Sequence, residues 1–221
     1  MNTGLILDVA HGSNVPGKQS PDGKHKEYKW SRDLVRMLIP DLLDIVSPKF
    51  DTHSPYLDFD EEPGLIKRVK YYNEISMSHE KVLMLSFHND ANPKDNCGQE
   101  GYGEGHGIAL WTSRGETGTD PIATFMFEEY KKMLPEEHFR TAYWLNKGEK
   151  VKDPDWEANF TILAGNDKIK PLYDGILLEV LFQNNREDLK KLKSFDWNVR
   201  FKNITKDVII KTMIFIQHEL I

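Results

Sequence analysis

The sequence predicts an α/β protein: one domain, built on a twisted, mostly parallel central sheet with helices on both faces. Two observations carry that prediction. Short, strongly apolar runs alternate along the chain with longer amphipathic segments of helical period, the pattern of strands joined by helical crossovers. The chain has 221 residues, 39% hydrophobic and 29% charged, a size and balance that suit one well-buried core rather than two. No internal repeat, linker or low-complexity stretch divides it, so residues 1–221 are taken as a single unit.

The elements follow in order. Leu5 to Asp8, after Gly4 and before Gly12 and Pro16, reads as a short buried strand ending in a loop. A helix starts near Glu27 with Trp30, Leu34, Val35, Leu38 and Leu42 on one stripe, and Pro40 is expected to bend it. An extended piece, "KFDTHS", precedes a helix over 64–76 that carries Leu65, Val69, Tyr72 and Ile75 at helical spacing. "KVLMLSFH", 81–88, is a second buried strand with a histidine at its end. The glycine-rich loop "NCGQEGYGEGHG" leads into a third strand, "IALWTS", and a helix over 120–134. Residues 135–171 read as irregular. "GILLEVLF", 175–182, is another central strand, and "VIIKTMIFIQHEL" closes the chain as an amphipathic helix.

Bulk properties exclude several classes. No window approaches the roughly eighteen apolar residues of a membrane helix, and "MNTGLILDVA" has neither a basic leader nor a secretory cleavage site. No membrane partner and no signal peptide are expected. The single cysteine, Cys97, rules out an internal disulfide and a multi-thiolate zinc site, so a metal would use histidine and carboxylate. A net charge of −6 without a basic patch speaks against nucleic acid.

Chemistry concentrates at strand ends. His11 follows the first strand, Glu27 heads the next helix, His88 ends a later strand and Glu179 lies in the last one. Parallel strands bring their carboxyl ends to one edge, where the loops of an open α/β sheet form a ligand crevice. A catalytic zinc takes three protein ligands from His and Asp or Glu at about 2.0–2.2 Å. Two histidines and one glutamate meet that need, and a second glutamate can serve as general base. Glu179 sits in an otherwise apolar run, where an unpartnered carboxylate is costly to bury. The plainer alternatives are a turn-capping His11 and a Glu179 facing solvent from an edge strand.

In order, "LDVAHG", Glu27, "LSFHNDA" and "ILLEVLFQNNRED" make the chain similar to the zinc-dependent N-acetylmuramoyl-L-alanine amidases of the amidase 3 type, which include endolysin catalytic domains. Asp8, His11 and Gly12 match the first landmark, Ser86 and His88 a Ser-x-His strand end, and Arg68 with Asn73 an intermediate pair. Glu179, Phe182, Asn185 and Asp188 match the last landmark. Departures are Val9-Ala10 in place of Pro-Gly, His53 in place of arginine, Asp90 in place of asparagine and Leu181 in place of a frequent glycine.

The resemblance implies hydrolysis of the amide joining the lactyl group of N-acetylmuramic acid to L-alanine in peptidoglycan. It implies one catalytic zinc held by His11, Glu27 and His88, which lowers the pKa of water towards about 7 and stabilises an oxyanion, with Glu179 shuttling the proton. Asp8 is expected to orient an imidazole. The glycine-rich loop is expected to border the cleft, its Gly103, Gly105 and Gly107 serving flexibility, since a strand follows where a phosphate loop needs a helix. His106 is a weaker substrate-contact candidate, and His25 is expected to be a solvated loop residue. Trp144 and Trp156 either stack on sugar or pack their loop. His53, His79, His138 and His218 need no function.

Other function classes remain at this stage. Cys97 with His106 has the chain order of a cysteine peptidase. A catalytically inactive wall-binding module would keep the same fold, and a zinc carboxypeptidase or deacylase on peptidoglycan fragments would use the same chemistry. Without a visible leader the expected setting is that of a phage endolysin, accumulating in the host cytoplasm before it reaches and lyses the wall. A bacterial envelope enzyme without its leader reads the same way. A monomer is expected.

Overall fold

The computed structural model describes residues 2–146 and 149–219, apart from the side chains of 144–146 and Glu219. In chain order the elements are β1 (Thr3–Val9), α1 (Glu27–Leu43), β2 (Asp51–His53), α2 (Leu65–Ser76), β3 (Lys81–Asp90), β4 (Ile108–Thr112) and α3 (Asp120–Met133). Then come β5 (Ala142–Asn146), β6 (Glu149–Asp153), β7 (Asp155–Glu157), α4 (Thr161–Ala164), β8 (Asp174–Phe182), α5 (Arg186–Lys193) and α6 (Phe195–Glu219).

Six strands form one sheet in the order β2-β1-β3-β8-β4-β7. β2, β1, β3 and β8 run parallel to one another, and β4 pairs antiparallel with β8 while β7 follows β4. Parallel neighbours need long crossovers, which α1 and α2 supply. The helices cover the sheet in two groups, α1 and α3 against α6, and α2 with α4. Because both faces are covered, the central strands show no polar alternation: Val82 to Leu85 and Ile176 to Leu178 are all buried. The predicted α/β fold with a mostly parallel sheet is therefore what forms, with β4 and β7 as the reversed strands.

The structure corrects the sequence reading in detail. Residues 135–171 are not irregular: they hold the β5–β6 hairpin, β7 and α4. β7 is three residues long and is defined by its pairing with β4, which no local pattern announces. The last helix begins at Phe195, well before residue 208. Phe201, Ile204 and Val208 recur at helical spacing and are buried, but the charged residues between them hide that period. α5 was also missed, although Asn185 caps it in the usual way, its side chain accepting from the amides of Glu187 and Asp188. α1 runs through Pro40 and ends at Leu43.

One buried acid on the β7 edge makes stability depend on pH. Asp155 is 2% exposed and accepts a 2.6 Å bond from the Thr112 hydroxyl. Burial, opposed by that bond and reinforced by Asp153 and Asp120, pushes its pKa up to about 7 from 3.8. The folded state thus keeps a proton that the unfolded chain releases, and the stabilisation present below pH 3.8 is lost as pH rises through 7. The thermal midpoint is expected to fall between pH 5 and 8 in the wild type and to fall less in Asp155→Asn. Equal slopes in the two proteins would contradict this.

Candidate active site

Strand register assembles the site. In the parallel sheet Asp8 lies beside Ser86, Ser86 beside Leu177, and His88 beside Glu179. Since side chains alternate along a strand, Asp8, Ser86, His88, Leu177 and Glu179 all point to one face. His11 lies just past the end of β1, and Glu27 is the first residue of α1. His88 Nδ1 lies 2.8 Å and His11 Nε2 3.4 Å from Glu27 Oε1, and the two imidazole rings stand nearly perpendicular at 4.8 Å. One donor atom from each of the three residues falls within 4.8 Å of the others. With Glu179 the two histidines line a cavity of about 500 Å³ to which Leu65, Phe160, Ile162 and Leu177 contribute apolar surface.

The electrostatics follow from burial. Glu27 is 1% exposed, and although burial alone would raise its pKa, the proximity of His11 and the hydrogen bond with His88 hold the carboxyl well below the usual range. Burial lowers the pKa of His11 against the pull of Glu27. Glu179 lies on a central strand between β3 and β4, not at an edge. Its Oε2 is buried without a hydrogen-bond partner among the described residues. Burial, with the nearby charges of Asp90 and Glu27, pushes its pKa well up.

The first two residues of the next helical turn hold His11 in place. Its φ of 43° is left-handed, a conformation that costs a non-glycine residue about 1 kcal/mol. Arg32 fixes it: one terminal nitrogen donates to Ala10 O at 2.9 Å and the other to His11 O at 2.8 Å. The Ser31 hydroxyl accepts from Ala10 N and donates to Phe87 O, joining the ends of the two histidine-bearing strands. Glu27 is held by Asn89 N and Gln183 Nε2, each at 3.2 Å. Sequence reasoning missed these four supports. The readable signal was Ser31, four residues after Glu27 and so on the same inward stripe of α1.

Gly12 is required by space. A Cβ there would lie 2.1 Å from Glu62 N, so the loop carrying His11 closes on the 60–62 segment only with glycine. Gly12→Ala is expected to cost about 1–3 kcal/mol in stability and, by displacing His11, about a hundredfold in activity. Denaturant melts and initial rates at equal folded fraction would check both, and a fully active Gly12→Ala protein would refute the second.

The sequence matches N-acetylmuramoyl-L-alanine amidase, the amidase 3 family, over residues 5–211. The chain belongs to that family. The amidase is similar in structure to an N-acetylmuramoyl-L-alanine amidase from Clostridium difficile 630, at 17% identity over 96% of each chain and a TM-score of 0.72. It is also similar to the catalytic domain of the amidase CwlV from Bacillus (Paenibacillus) polymyxa, at 17% identity, 96% and 98% coverage and a TM-score of 0.69. The apo form of Ami1 from Mycobacterium abscessus gives 17%, 96% and 98%, and 0.68. No curated protein sequence matches the amidase.

The amidase's donor set fits zinc. Two imidazole nitrogens and a carboxylate oxygen converge, the composition of a three-ligand catalytic zinc site, and His11 Nε2 is buried with no hydrogen-bond partner of its own. A divalent cation would satisfy that nitrogen and neutralise Glu27.

Several expectations about the amidase are corrected. Asp8 does not orient an imidazole. Its oxygens accept from Arg68 at 2.7 Å and from Tyr72 and Ser86 at 2.5 Å, because its side chain points to α2. Asn73 ties α2 to the segment entering β8, through Lys170 O and Leu172 N. His25 is buried rather than solvated, 2.8 Å from Asn89 Oδ1. The glycine-rich loop does not line the cavity of His11 and Glu179. Gly103 and Gly105 close on the Asn92 side chain and Gly107, at φ 94°, on His138 O, so close packing rather than flexibility explains them.

His106 is exposed and its ring lies tilted against that of His138, centroids 4.9 Å apart. Cys97 Sγ donates to Asn92 O and Pro93 O and accepts from Asn184, with no imidazole bonded to it among the described residues, which removes the support for the cysteine peptidase reading. Trp156 packs on Trp111, which contacts Phe160 at the cavity wall. The Trp144 side chain lies outside the described residues. The strained position at Leu181, φ 62°, follows a bulge between His88–Glu179 and Asp90–Phe182. A glycine would adopt it freely, and leucine accepts the strain while burying its whole side chain.

Proposed function

We propose that this amidase is a zinc-dependent peptidoglycan hydrolase in which His11, Glu27 and His88 hold one metal ion and Glu179 moves the proton. The observation that carries the reading is the convergence of those three donors, two of which, His11 and His88, line one cavity with Glu179, whose Oε2 has no hydrogen-bond partner among the described residues. The substrate bond is the amide between the lactyl group of N-acetylmuramic acid and L-alanine. Zinc, when bound, supplies a Lewis acid that polarises the carbonyl and makes water nucleophilic near neutral pH.

The chain's own residues do the rest. Glu179, whose Oε2 is free to accept, takes a proton from the attacking water and returns it to the departing alanine nitrogen. Its raised proton affinity suits the delivery half of that cycle. Asn89 and Gln183 keep Glu27 from rotating away, while Arg32 and Ser31 keep His11 and His88 at a fixed separation.

Chelation is expected to abolish release of L-alanine amino termini from purified peptidoglycan, and one equivalent of zinc to restore it. His88→Ala should lower zinc affinity by at least about tenfold, read by elemental analysis after dialysis. Full activity in metal-free protein would overturn the zinc reading, and release of carboxy-terminal residues instead of alanine amino termini would make the enzyme a carboxypeptidase. We also read its role as wall lysis by a monomer, of the endolysin kind. Clearing of a wall suspension and light scattering of the pure protein test those two points. Among the described residues no helix is long and apolar enough to cross a membrane.

A further inference from the structure

The cleft holds a charge that the proposed chemistry leaves idle. Lys18, in the loop before α1, lines the cavity with His11, His88 and Glu179. Arg68, the other cation lining it, is engaged by Asp8 at 2.7 Å and Glu62 at 2.9 Å. Lys18 is exposed and has no carboxylate within ion-pair distance among the described residues. Its root is nevertheless fixed. Lys18 O accepts from Glu27 N, Gln19 bridges to Lys26, and Ser20 and His25 exchange bonds across the same turn. The loop that presents the ammonium is thus tied to the head of α1.

Of the rest of the lining, Leu65, Phe160, Ile162 and Leu177 are apolar, Asn159 and Thr161 carry no charge, and Asp8 and Glu62 are the carboxylates that engage Arg68, so Lys18 is the cation there left for an anion. The muramyl stem peptide continues from L-alanine into a γ-linked glutamate whose α-carboxyl is either free or amidated. That carboxyl lies within about two residue lengths of the cleaved bond, roughly 7 Å. A lysine rooted at the cleft reaches such a distance.

We propose that Lys18 is a specificity residue that selects stem peptides carrying a free carboxylate on the residue next to L-alanine. The proposal rests on the amidase reading for the identity of the cleaved bond. A charge-assisted hydrogen bond in a half-enclosed cleft favours the acid over its amide by about tenfold.

The test uses zinc-loaded protein and two N-acetylmuramoyl tripeptides that differ only in whether the glutamate α-carboxyl is free or amidated. The wild type is expected to show a kcat/KM ratio of about ten for acid over amide, and Lys18→Met a ratio near one. Each ratio is internal to one protein, so a loss of folded enzyme cancels. A lysine acting only through Glu179 would shift the pH profile for both substrates and leave the ratio standing, which overturns the proposal, as does a wild-type ratio of one.

Calorimetric binding of the same two peptides is read in parallel. Charge-selective binding that Lys18→Met removes, with neither peptide hydrolysed, supports the proposal and overturns the amidase reading alone. Binding without charge selectivity overturns the proposal whatever the rates.

Discussion

Glutamine in place of Glu179 is expected to lower kcat/KM about a thousandfold, with zinc content unchanged. The substitution keeps the shape of the side chain and its place on β8 beside His88, and removes only the ability to take and return a proton. The stability effect should run the other way. Burial with Asp90 and Glu27 nearby raises the pKa of Glu179 above its unfolded value, so its contribution is fully present at low pH and is lost as pH rises through the folded value. In metal-free protein at pH 7, Glu179→Gln should therefore melt higher than the wild type, and the gap should close towards pH 4. A variant that lost activity and stability together would point to a structural carboxylate. One that kept a tenth of the wild-type rate would exclude Glu179 as the proton carrier.

Arg68→Met is expected to cost about 3–5 kcal/mol of folding free energy. Arg68 and Asp8 are each 1% exposed and lie 2.7 Å apart. Arg68 also donates to Val9 O at 2.6 Å, bracing the end of β1 from the α2 side. Removing the guanidinium leaves the Asp8 carboxylate buried with only Tyr72 and Ser86 as donors. Hydroxyls satisfy its lone pairs and do not compensate its charge. Urea unfolding should show the loss, and Asp8→Asn added to Arg68→Met should recover part of it. Strict additivity of the two substitutions would mean that the pair is not coupled.

The sequence by itself determined the strand and helix skeleton around the site and the chemical types that converge there. Buried parallel strands write their burial into composition, so β1, β3 and β8 were legible as apolar runs, with His11 and His88 towards the ends of two of them and Glu179 within the third. Glu27 was legible as the head of an amphipathic helix. These signals are local, carried by neighbours within a turn or a pleat.

Only the tertiary structure decided the rest. Gln183 reaches Glu27 across 156 positions, Asn89 reaches it across 62, and Arg68 reaches Asp8 across 60. No period in the chain encodes such pairs. Gly12 looked like loop punctuation until the 60–62 backbone was seen to close on it, and His25 looked solvated until Asn89 was seen to cover it. β7 likewise exists because β4 is there to bond it. Periodicity reports which face of an element is buried, whereas hydrogen-bond partners and close backbone approaches depend on which distant segment packing brings against that face.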